Sequence, residues 1–259
     1  TWLFSQTYKR GKNSPEQQIT NKYGKKIRGF LNTFLNWVFE HYEIPNLLAA
    51  VKAPKDTSLK KPKDFLELKE FKELDEVSRN DILWNTIFAF MFHTGARIGE
   101  VQAISEADYR NGEIFINKTV AKDKEGKPIV GSLKNLKAYS KPIDNYLIAK
   151  LDKYLEWKRV QNIAKTFLFG GDNFIDIHKY VRMLKFYISQ TTIKKHITPH
   201  SFRHSYVSML IDMDCSTKTV SEMIGDTEEV VIQTYSHLYT AKKRLTVDRL
   251  NAYLMSNSK

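Results

Sequence analysis

The chain has 259 residues, 42% of them hydrophobic and 12% aromatic, which is enough to bury a sizeable core and excludes global disorder. Its 41 Lys and Arg against 29 Asp and Glu give a net charge of +12, which is typical of a protein that binds a polyanion. A single cysteine excludes an intramolecular disulfide, and no run reaches the roughly 20 apolar residues that a membrane span needs.

The positive charge is concentrated near the amino terminus, where residues 1–63 hold twelve Lys and Arg against four Asp and Glu. A polyanion fits this excess best, although a solvated basic surface or a surface for acidic membranes would carry the same charge. The chain starts with Thr1 instead of methionine, which predicts a fragment or a processed form. The lone Cys215 and the lack of a secretory signal predict a cytoplasmic protein.

Residues 1–54 are predicted to form a small, basic, helical unit. Within 15–42, apolar residues recur at the i, i+3, i+4, i+7 spacing of an amphipathic helix. The stretch 44–55, "IPNLLAAVKAPK", predicts a short second helix that ends at its second proline. Residues 55–63, "KDTSLKKPK", are polar and basic, which is typical of a linker, and residues 64–259 form the second domain.

The second domain is predicted to be mostly helical with one small antiparallel sheet, an α+β fold class. It begins with helices at 64–78 and 80–92, and the second of these is apolar nearly all round, which indicates burial. Gly95 marks a break before the next helix. The run 112–144 has short alternating segments separated by turn residues, which predict two or three antiparallel strands. Further helices are predicted at 145–164, 174–189, 197–206, 217–225, 228–239 and 243–256.

The stretch 197–206, "ITPHSFRHSY", predicts an anion-binding helix start. Thr198 and Pro199 fit an N-cap followed by proline at the first helical position. His200 and Arg203 then lie three apart in the first turn and project from one side. Cationic side chains are unfavourable at this end of a helix unless a negative partner is present. A phosphate site is therefore indicated, and a core histidine beside a surface arginine is the alternative.

A metal site is the other chemistry that these residues could support. His200 and His204 have the i, i+4 spacing of a zinc pair, which leaves a metal hydrolase open as an alternative function. No HExxH motif accompanies them, and Arg203 between them would repel a cation. The sequence therefore predicts no metal.

Three separated motifs resemble the boxes of the tyrosine recombinase family, the lambda-type integrases. They are "HTGARIGE" at 93–100, "ITPHSFRHSY", and "MIGDTEEVVIQTYSHLY" at 223–239, and the resemblance spans about 65–240. It implies a recombinase catalytic domain preceded by a helical core-binding domain, of which residues 1–54 resemble the end. The residues that match the family's catalytic positions are Arg97, Glu100, Lys134, His200, Arg203, Asp226 and Tyr235.

The resemblance implies transesterification at a DNA phosphodiester through a 3′-phosphotyrosyl intermediate. Tyr235, nine residues after Asp226, would be the nucleophile, in preference to the neighbouring tyrosines at 206 and 239. Lys134, with Lys137 in reserve, would protonate the leaving 5′-oxygen. The other implied roles are a phosphate clamp by Arg97 and Arg203, proton transfer and phosphate orientation by His200, and support of an arginine or histidine by Glu100.

The implied partners are double-stranded DNA, a homotetramer assembled on paired sites, and accessory DNA-bending or excision factors, for a phage or mobile element in the nucleoid of a bacterial cell. No cofactor is expected, because two arginines carry the charge that a metal carries elsewhere. The helix 247–255 has the apolar spacing to dock on a neighbouring subunit or to cover its own domain. The basic residues expected to face DNA are Lys22, Lys25, Lys26 and Arg28.

Asp226 departs from the family, which has His or Trp in this position. A carboxylate cannot donate a hydrogen bond to a phosphate and repels it at close range. We therefore expect Asp226 to point away and pair with a basic neighbour such as His204, and activity to survive. The alternative function is a catalytically impaired DNA-binding protein on the same scaffold.

Overall fold

The computed structural model describes residues 7–9, 15–51, 64–133 and 138–256. The chain divides into two compact units, Thr1–Pro62 and Lys63–Lys259, which are described separately. Among the described residues, no helix is both long enough and apolar enough to cross a bilayer.

The described part of the first unit, residues 7–9 and 15–51, consists of one long helix with short flanking elements. Its strands β1 (Thr7–Tyr8) and β2 (Gln17–Gln18) pair antiparallel, and helix α1 spans Asn21–Tyr42. The chain leaves α1 through a left-handed residue, and the predicted second helix is a single 3-10 turn, Leu47–Ala50.

The second unit is built from helices and two small antiparallel sheets. Within its described part the helices are α2 (Leu68–Ser78), α3 (Ile82–Thr94), α4 (Ile98–Ala103), α5 (Asn145–Val160), α6 (Ile177–Ile188), α7 (Pro199–Asp212), α8 (Thr217–Ile224) and α9 (Glu228–Ser256). The strands are β3 (Tyr109–Arg110), β4 (Glu113–Ile116), β5 (Lys118–Lys122), β6 (Pro128–Ser132) and β7 (Tyr139–Pro142). The sheet orders are β3-β4-β7 and β5-β6, all antiparallel. The predicted fold class, mostly helical with a small antiparallel sheet, is confirmed.

Helix α3 is the centre of the core, as its all-round apolar sequence predicted. Ten of its thirteen residues are buried, and it packs against α2, α5 and α7. Asp81 begins the helix by accepting a hydrogen bond from the backbone N–H of Trp84. Gly95 ends it with a φ of +61°, the left-handed conformation that glycine adopts at low cost. The reversal brings the next residues back over the buried core.

A second apolar cluster joins α7, α8 and α9. Val207 and Ile211 on α7 pack with Val220 on α8 and Val231 on α9, and all four are buried. Because this cluster ties the start of α9 to α7, it determines where the side chains of the second turn of α9 point. Tyr235 belongs to it.

Helix α9 corrects one sequence-based prediction. The sequence predicts separate helices at 228–239 and 243–256, whereas α9 is continuous over Glu228–Ser256. The intervening residues 240–242, Thr-Ala-Lys, include neither glycine nor proline, and alanine and lysine propagate a helix well.

Candidate active site

The turn between α3 and α4 positions Arg97. Arg97 is the N-cap of α4, and its backbone N–H donates to Glu100 Oε2 at 2.8 Å. Its side-chain Nη1 donates to Glu100 Oε1 at 2.9 Å, and the Glu100 side chain is only 1% exposed. One buried carboxylate therefore holds both the backbone and the guanidinium of Arg97. Burial lowers the pKa of Arg97, but Glu100 and Asp226 outweigh that effect, so the pKa is raised and the charge is secure.

Arg203 is buried on the first turns of α7, behind the N-cap Thr198. Its Nη1 donates to the backbone carbonyls of Gly95, at 3.0 Å, and Ile224, at 2.9 Å. These carbonyls lie at the carboxyl ends of α3 and α8, where helix dipoles favour a positive charge. Two helix ends therefore hold the guanidinium in one orientation.

Asp226 lies between the two arginines. Its Oδ2 accepts from Arg97 Nη2 at 2.8 Å and from Arg203 Nη2 at 2.7 Å. Asp226 therefore pairs with basic neighbours, as expected, but these are the two arginines and not His204. The physical reason is that two partly buried guanidinium groups need a counter-ion, and Asp226 is the carboxylate within reach of both.

Tyr235 projects from the second turn of α9 towards α7. Its side chain is 6% exposed, and its hydroxyl lies 2.7 Å from His204 Nδ1. Burial raises the pKa of Tyr235 to about 12; Arg203 and Arg97 act against that rise, and Asp226 adds to it. The phenol is therefore protonated at neutral pH and would need a proton acceptor to become a strong nucleophile.

A cleft of about 510 Å³ opens over these groups. Of the three tyrosines weighed from the sequence, only Tyr235 lines it, within the described part of the chain. Tyr206 packs beneath Gly95, and the Tyr239 hydroxyl donates to the Cys215 carbonyl instead. The polar residues that line the cleft include Arg97, His200, Arg203, His204, Asp226 and Tyr235.

Lys134 and its reserve Lys137 fall outside the described residues, as does the side chain of Lys22. Lys25 and Lys26 are exposed on α1.

Arg28 differs from the expectation that it faces DNA. Its Nη2 donates to the backbone carbonyls of Leu48 and Val51, at 3.1 and 2.6 Å. The guanidinium therefore fastens α1 to the end of the 3-10 turn, where the Leu48 carbonyl also accepts from the backbone N–H of Val51.

Sequence reasoning missed the contacts that three residues make in the site. His204 contacts the tyrosine hydroxyl, Tyr139 donates to Glu100 Oε2 at 3.5 Å and to the Ile224 carbonyl at 3.3 Å, and the fully buried Lys141 bonds to helix ends beneath the arginines. The alternation in "YSKP" was a usable signal, because it places Lys141 on the same face as Tyr139.

No group of three or more His, Cys, Asp and Glu that could hold a metal is found among the described residues. What the cleft offers instead is two fixed guanidinium groups, which suit a phosphate.

Comparison with known proteins identifies the scaffold. The sequence model described as the phage integrase family matches residues 64–242. A tyrosine recombinase of Thermosipho africanus is 25% identical over 240 residues, covering 92% of this chain and 77% of the relative. The tyrosine recombinase XerD of Staphylococcus haemolyticus is 25% identical over 229 residues, covering 83% of this chain and 72% of the relative.

Solved structures share the fold at low sequence identity. The Tn1549 transposon integrase in complex with a circular intermediate DNA superposes with a TM-score of 0.67 at 14% identity, covering 90% of this chain and 85% of that one. The XerA recombinase superposes with a TM-score of 0.59 at 18% identity, covering 89% and 83%.

Proposed function

Because this chain belongs to the phage integrase family and is a tyrosine site-specific recombinase, we propose that Tyr235 is its nucleophile and that Arg97 and Arg203 bind the scissile DNA phosphate. The observation that carries the assignment is the convergence of both guanidinium groups on one oxygen, Asp226 Oδ2, in the cleft that also holds the Tyr235 side chain. Such a pair is preorganised for a tetrahedral anion, because its donors already point to one place.

The bound phosphate takes the place of the Asp226 carboxylate. A non-bridging oxygen between the guanidinium groups accepts the hydrogen bonds that Asp226 Oδ2 accepts in the free protein. Asp226 must therefore turn away when DNA binds, or remain close and weaken the clamp by repulsion. His200 is exposed and lines the same cleft as Arg203, three residues further along the chain. It contacts another phosphate oxygen.

The chemical step transfers a proton from the tyrosine before the new bond forms. The Tyr235 phenol gives its proton to His204 Nδ1, which requires the neutral ring with its own proton on Nε2. The phenolate oxygen attacks phosphorus, the bond from phosphorus to the 5′-oxygen breaks, and a 3′-phosphotyrosyl link remains. The departing 5′-oxygen takes up a proton, the role that the family resemblance implies for Lys134. Attack by another strand's 5′-hydroxyl reverses these events, so no external energy source is needed.

The rest of the assembly follows from this activity. Both units contact double-stranded DNA. Residues 1–54 are part of a helical core-binding domain, and residues 55–63 are the linker. The active form is a homotetramer on paired sites that serves integration or excision of a mobile element in a bacterial cytoplasm, with accessory DNA-bending or excision factors.

Trapping of a covalent adduct tests the function. Duplexes that the native chain binds are first selected from a random pool, then nicked one to three nucleotides from each candidate crossover so that the released strand diffuses away. Native protein should form an adduct that survives denaturation, and mass spectrometry should place the nucleotide on Tyr235. Tyr235→Phe should bind equally and form none, and EDTA should change neither result.

Other outcomes separate the alternatives. Binding without an adduct on any nicked duplex would establish the catalytically impaired DNA-binding protein. Loss of activity in EDTA would point to a metal hydrolase, and an adduct on Tyr239 would overturn the nucleophile assignment.

A further inference from the structure

Lys141 is a fully buried lysine beneath the arginine clamp. It lies on β7, opposite Ile114 of β4, and is 1% exposed. Its Nζ donates to the carbonyl of Thr94 and, at 3.0 Å, to the carbonyl of Met223. The ammonium also lies 5.0 Å from the centre of the Tyr206 ring. A buried ammonium is costly, so its retention calls for a structural or functional reason.

The two carbonyls that Lys141 bonds are the last carbonyl of α3 and the penultimate carbonyl of α8. The carbonyls of the residues that follow, Gly95 after Thr94 and Ile224 after Met223, both accept from Arg203 Nη1. Lys141 and Arg203 therefore bridge the same two helix ends in adjacent layers. One residue further on, the Gly225 carbonyl accepts from Arg97 Nη1 at 3.2 Å.

The helix ends joined in this way lead directly into the clamp. The end of α3 continues through Gly95 to Arg97, and the end of α8 continues through Gly225 to Asp226. A change in the spacing between the ends would move Arg97 relative to Arg203. Misplacing reacting groups by about 1 Å through a distant change costs as much as ~100-fold in rate.

We propose that Lys141 is a positioning residue, which fixes the distance between the ends of α3 and α8 and thereby sets the two guanidinium groups at the separation that grips the scissile phosphate. It does not contact substrate. This inference rests on the proposed function, since it assigns a role within the same reaction.

The protonation state of Lys141 changes near neutral pH. Burial and the neighbouring Arg203 lower the pKa of Lys141 to about 7, with Glu100 acting in the opposite direction. The groups that face it are Arg203 and Tyr206 on α7 and Glu100 on α4. Above pH 7 the neutral amine retains two N–H donors but bonds the carbonyls more weakly, because charge-assisted hydrogen bonds are the stronger ones.

The test compares Lys141→Met and Lys141→Gln with Lys158→Met in the full chain, on the nicked duplex of the adduct assay. Lys158 is a control of equal burial. It donates to the carbonyls of Phe167 and Leu168 and pairs with Glu106, and it bonds neither of the helix ends that lead to the arginines. Lys141→Met should reduce the single-turnover rate of adduct formation about 100-fold, with the Kd for DNA within threefold of native. Lys158→Met should lower the Tm and leave the rate unchanged.

Lys141→Gln keeps a neutral donor and covers the case in which the methionine variant does not fold. Its rate should lie between native and Lys141→Met, and the ratio of native to Lys141→Gln rates should fall as pH rises through 7. Equal rates for native and Lys141→Gln at every pH, or equal losses in the 141 and 158 variants, would overturn the positioning role. Failure of native protein to form any adduct would instead overturn the proposed function.

Discussion

The carboxylate of Asp226 competes with the substrate for one position. Two unit charges 4 Å apart interact by about 4 kcal/mol at an effective dielectric constant of 20. A carboxylate that stayed beside a bound phosphate would therefore reduce the affinity of the two arginines for that phosphate by several powers of ten. The same carboxylate neutralises Arg203, whose side chain is only 6% exposed. At this one residue, stability of the free protein opposes binding of the substrate.

Asp226→Asn should separate these two effects. The amide keeps the shape and can still accept a hydrogen bond, but it no longer repels the phosphate. We expect single-turnover adduct formation about tenfold faster than native, and unfolding about 2 kcal/mol easier, because a buried guanidinium loses its counter-ion. Rapid-quench kinetics and thermal melting measure the two quantities independently.

The outcomes are distinct. A slower Asp226→Asn variant with native stability would mean that the carboxylate orients the arginines for chemistry and does not compete with DNA. Asp226→His is a companion variant: if it were active while the native chain formed no adduct, the hypothesis that native activity survives the departure from His or Trp would be refuted.

The contact between His204 and Tyr235 predicts a pH dependence. Below the Tyr235 pKa of about 12, the phenolate fraction rises tenfold with each pH unit. Without His204 the proton must leave to solvent, so the His204→Ala rate should climb steeply from pH 7 to pH 9. At pH 7 we expect a loss of about 100-fold, a usual contribution of a general base.

Native protein should show a shallower profile than His204→Ala in the same single-turnover assay. His237→Ala is the control, because His237 is exposed on the same helix as Tyr235 and does not line the cleft. Parallel profiles for native and His204→Ala would show that His204 only holds the tyrosine at rest.

At the residue scale the sequence predicted identities better than contacts. Arg97, Arg203 and Tyr235 were named because three short motifs resemble those of a known family, and all three residues line one cleft. The partner of Asp226 could not be predicted, since the nearest guanidinium depends on where two helix ends meet, 129 and 23 positions away along the chain. Lys141 was missed because a lysine in a short strand ordinarily faces solvent, although the alternation of β7 places it on the same face as Tyr139.

At the element scale, the turn from α8 into α9 depends on Gly225. Its φ is +60°, and a Cβ atom there would lie 2.1 Å from the Tyr139 ring. Tyr139 in turn donates to the Ile224 carbonyl and to Glu100, which holds Arg97. A side chain at Gly225 would therefore displace a ring that supports the clamp.

Gly225→Ala should cost about 3 kcal/mol, the sum of a left-handed backbone and an overpacked contact. The control is Gly126→Ala, at a φ of +83° with open space around the new methyl group, which should cost only about 1 kcal/mol. Chemical denaturation measures both, and adduct assays below the Tm should show a slower rate for Gly225→Ala alone. Equal costs would mean that Tyr139 moves aside freely.

The elements themselves were largely predictable because their signals are local. The apolar sequence of α3, the Thr-Pro start of α7 and the glycine ends of α3 and α8 all lie within one or two turns. The single helix α9 was mispredicted because Thr240 and the basic residues at 242–244 interrupt its apolar periodicity. Helix propensity, in contrast, favours continuation through this stretch.

At the scale of the whole molecule, the net charge of +12 predicts binding to DNA that weakens steeply with salt. The first unit carries much of that charge, but its basic residues are not equivalent. Lys25 and Lys26 are exposed, whereas the guanidinium of Arg28 is used to hold the 3-10 turn. The charge of a side chain alone therefore does not identify which residues contact the phosphates of DNA.

Replacing Lys25 and Lys26 together by alanine should reduce the slope of log K against log salt by about 1.8, because each lost phosphate contact removes about 0.9. Affinity should fall equally on every duplex, since phosphate contacts carry no sequence information. Arg28→Ala should leave that slope unchanged and instead make the first unit easier to unfold, by about 1 kcal/mol for each hydrogen bond lost. Fluorescence anisotropy titrations between 50 and 300 mM salt measure the slope, and hydrogen exchange of α1 measures the local stability. An unchanged slope in the double variant would place the DNA contacts of this unit elsewhere, and a reduced slope in Arg28→Ala would show that its guanidinium leaves the carbonyls of Leu48 and Val51 to bind DNA.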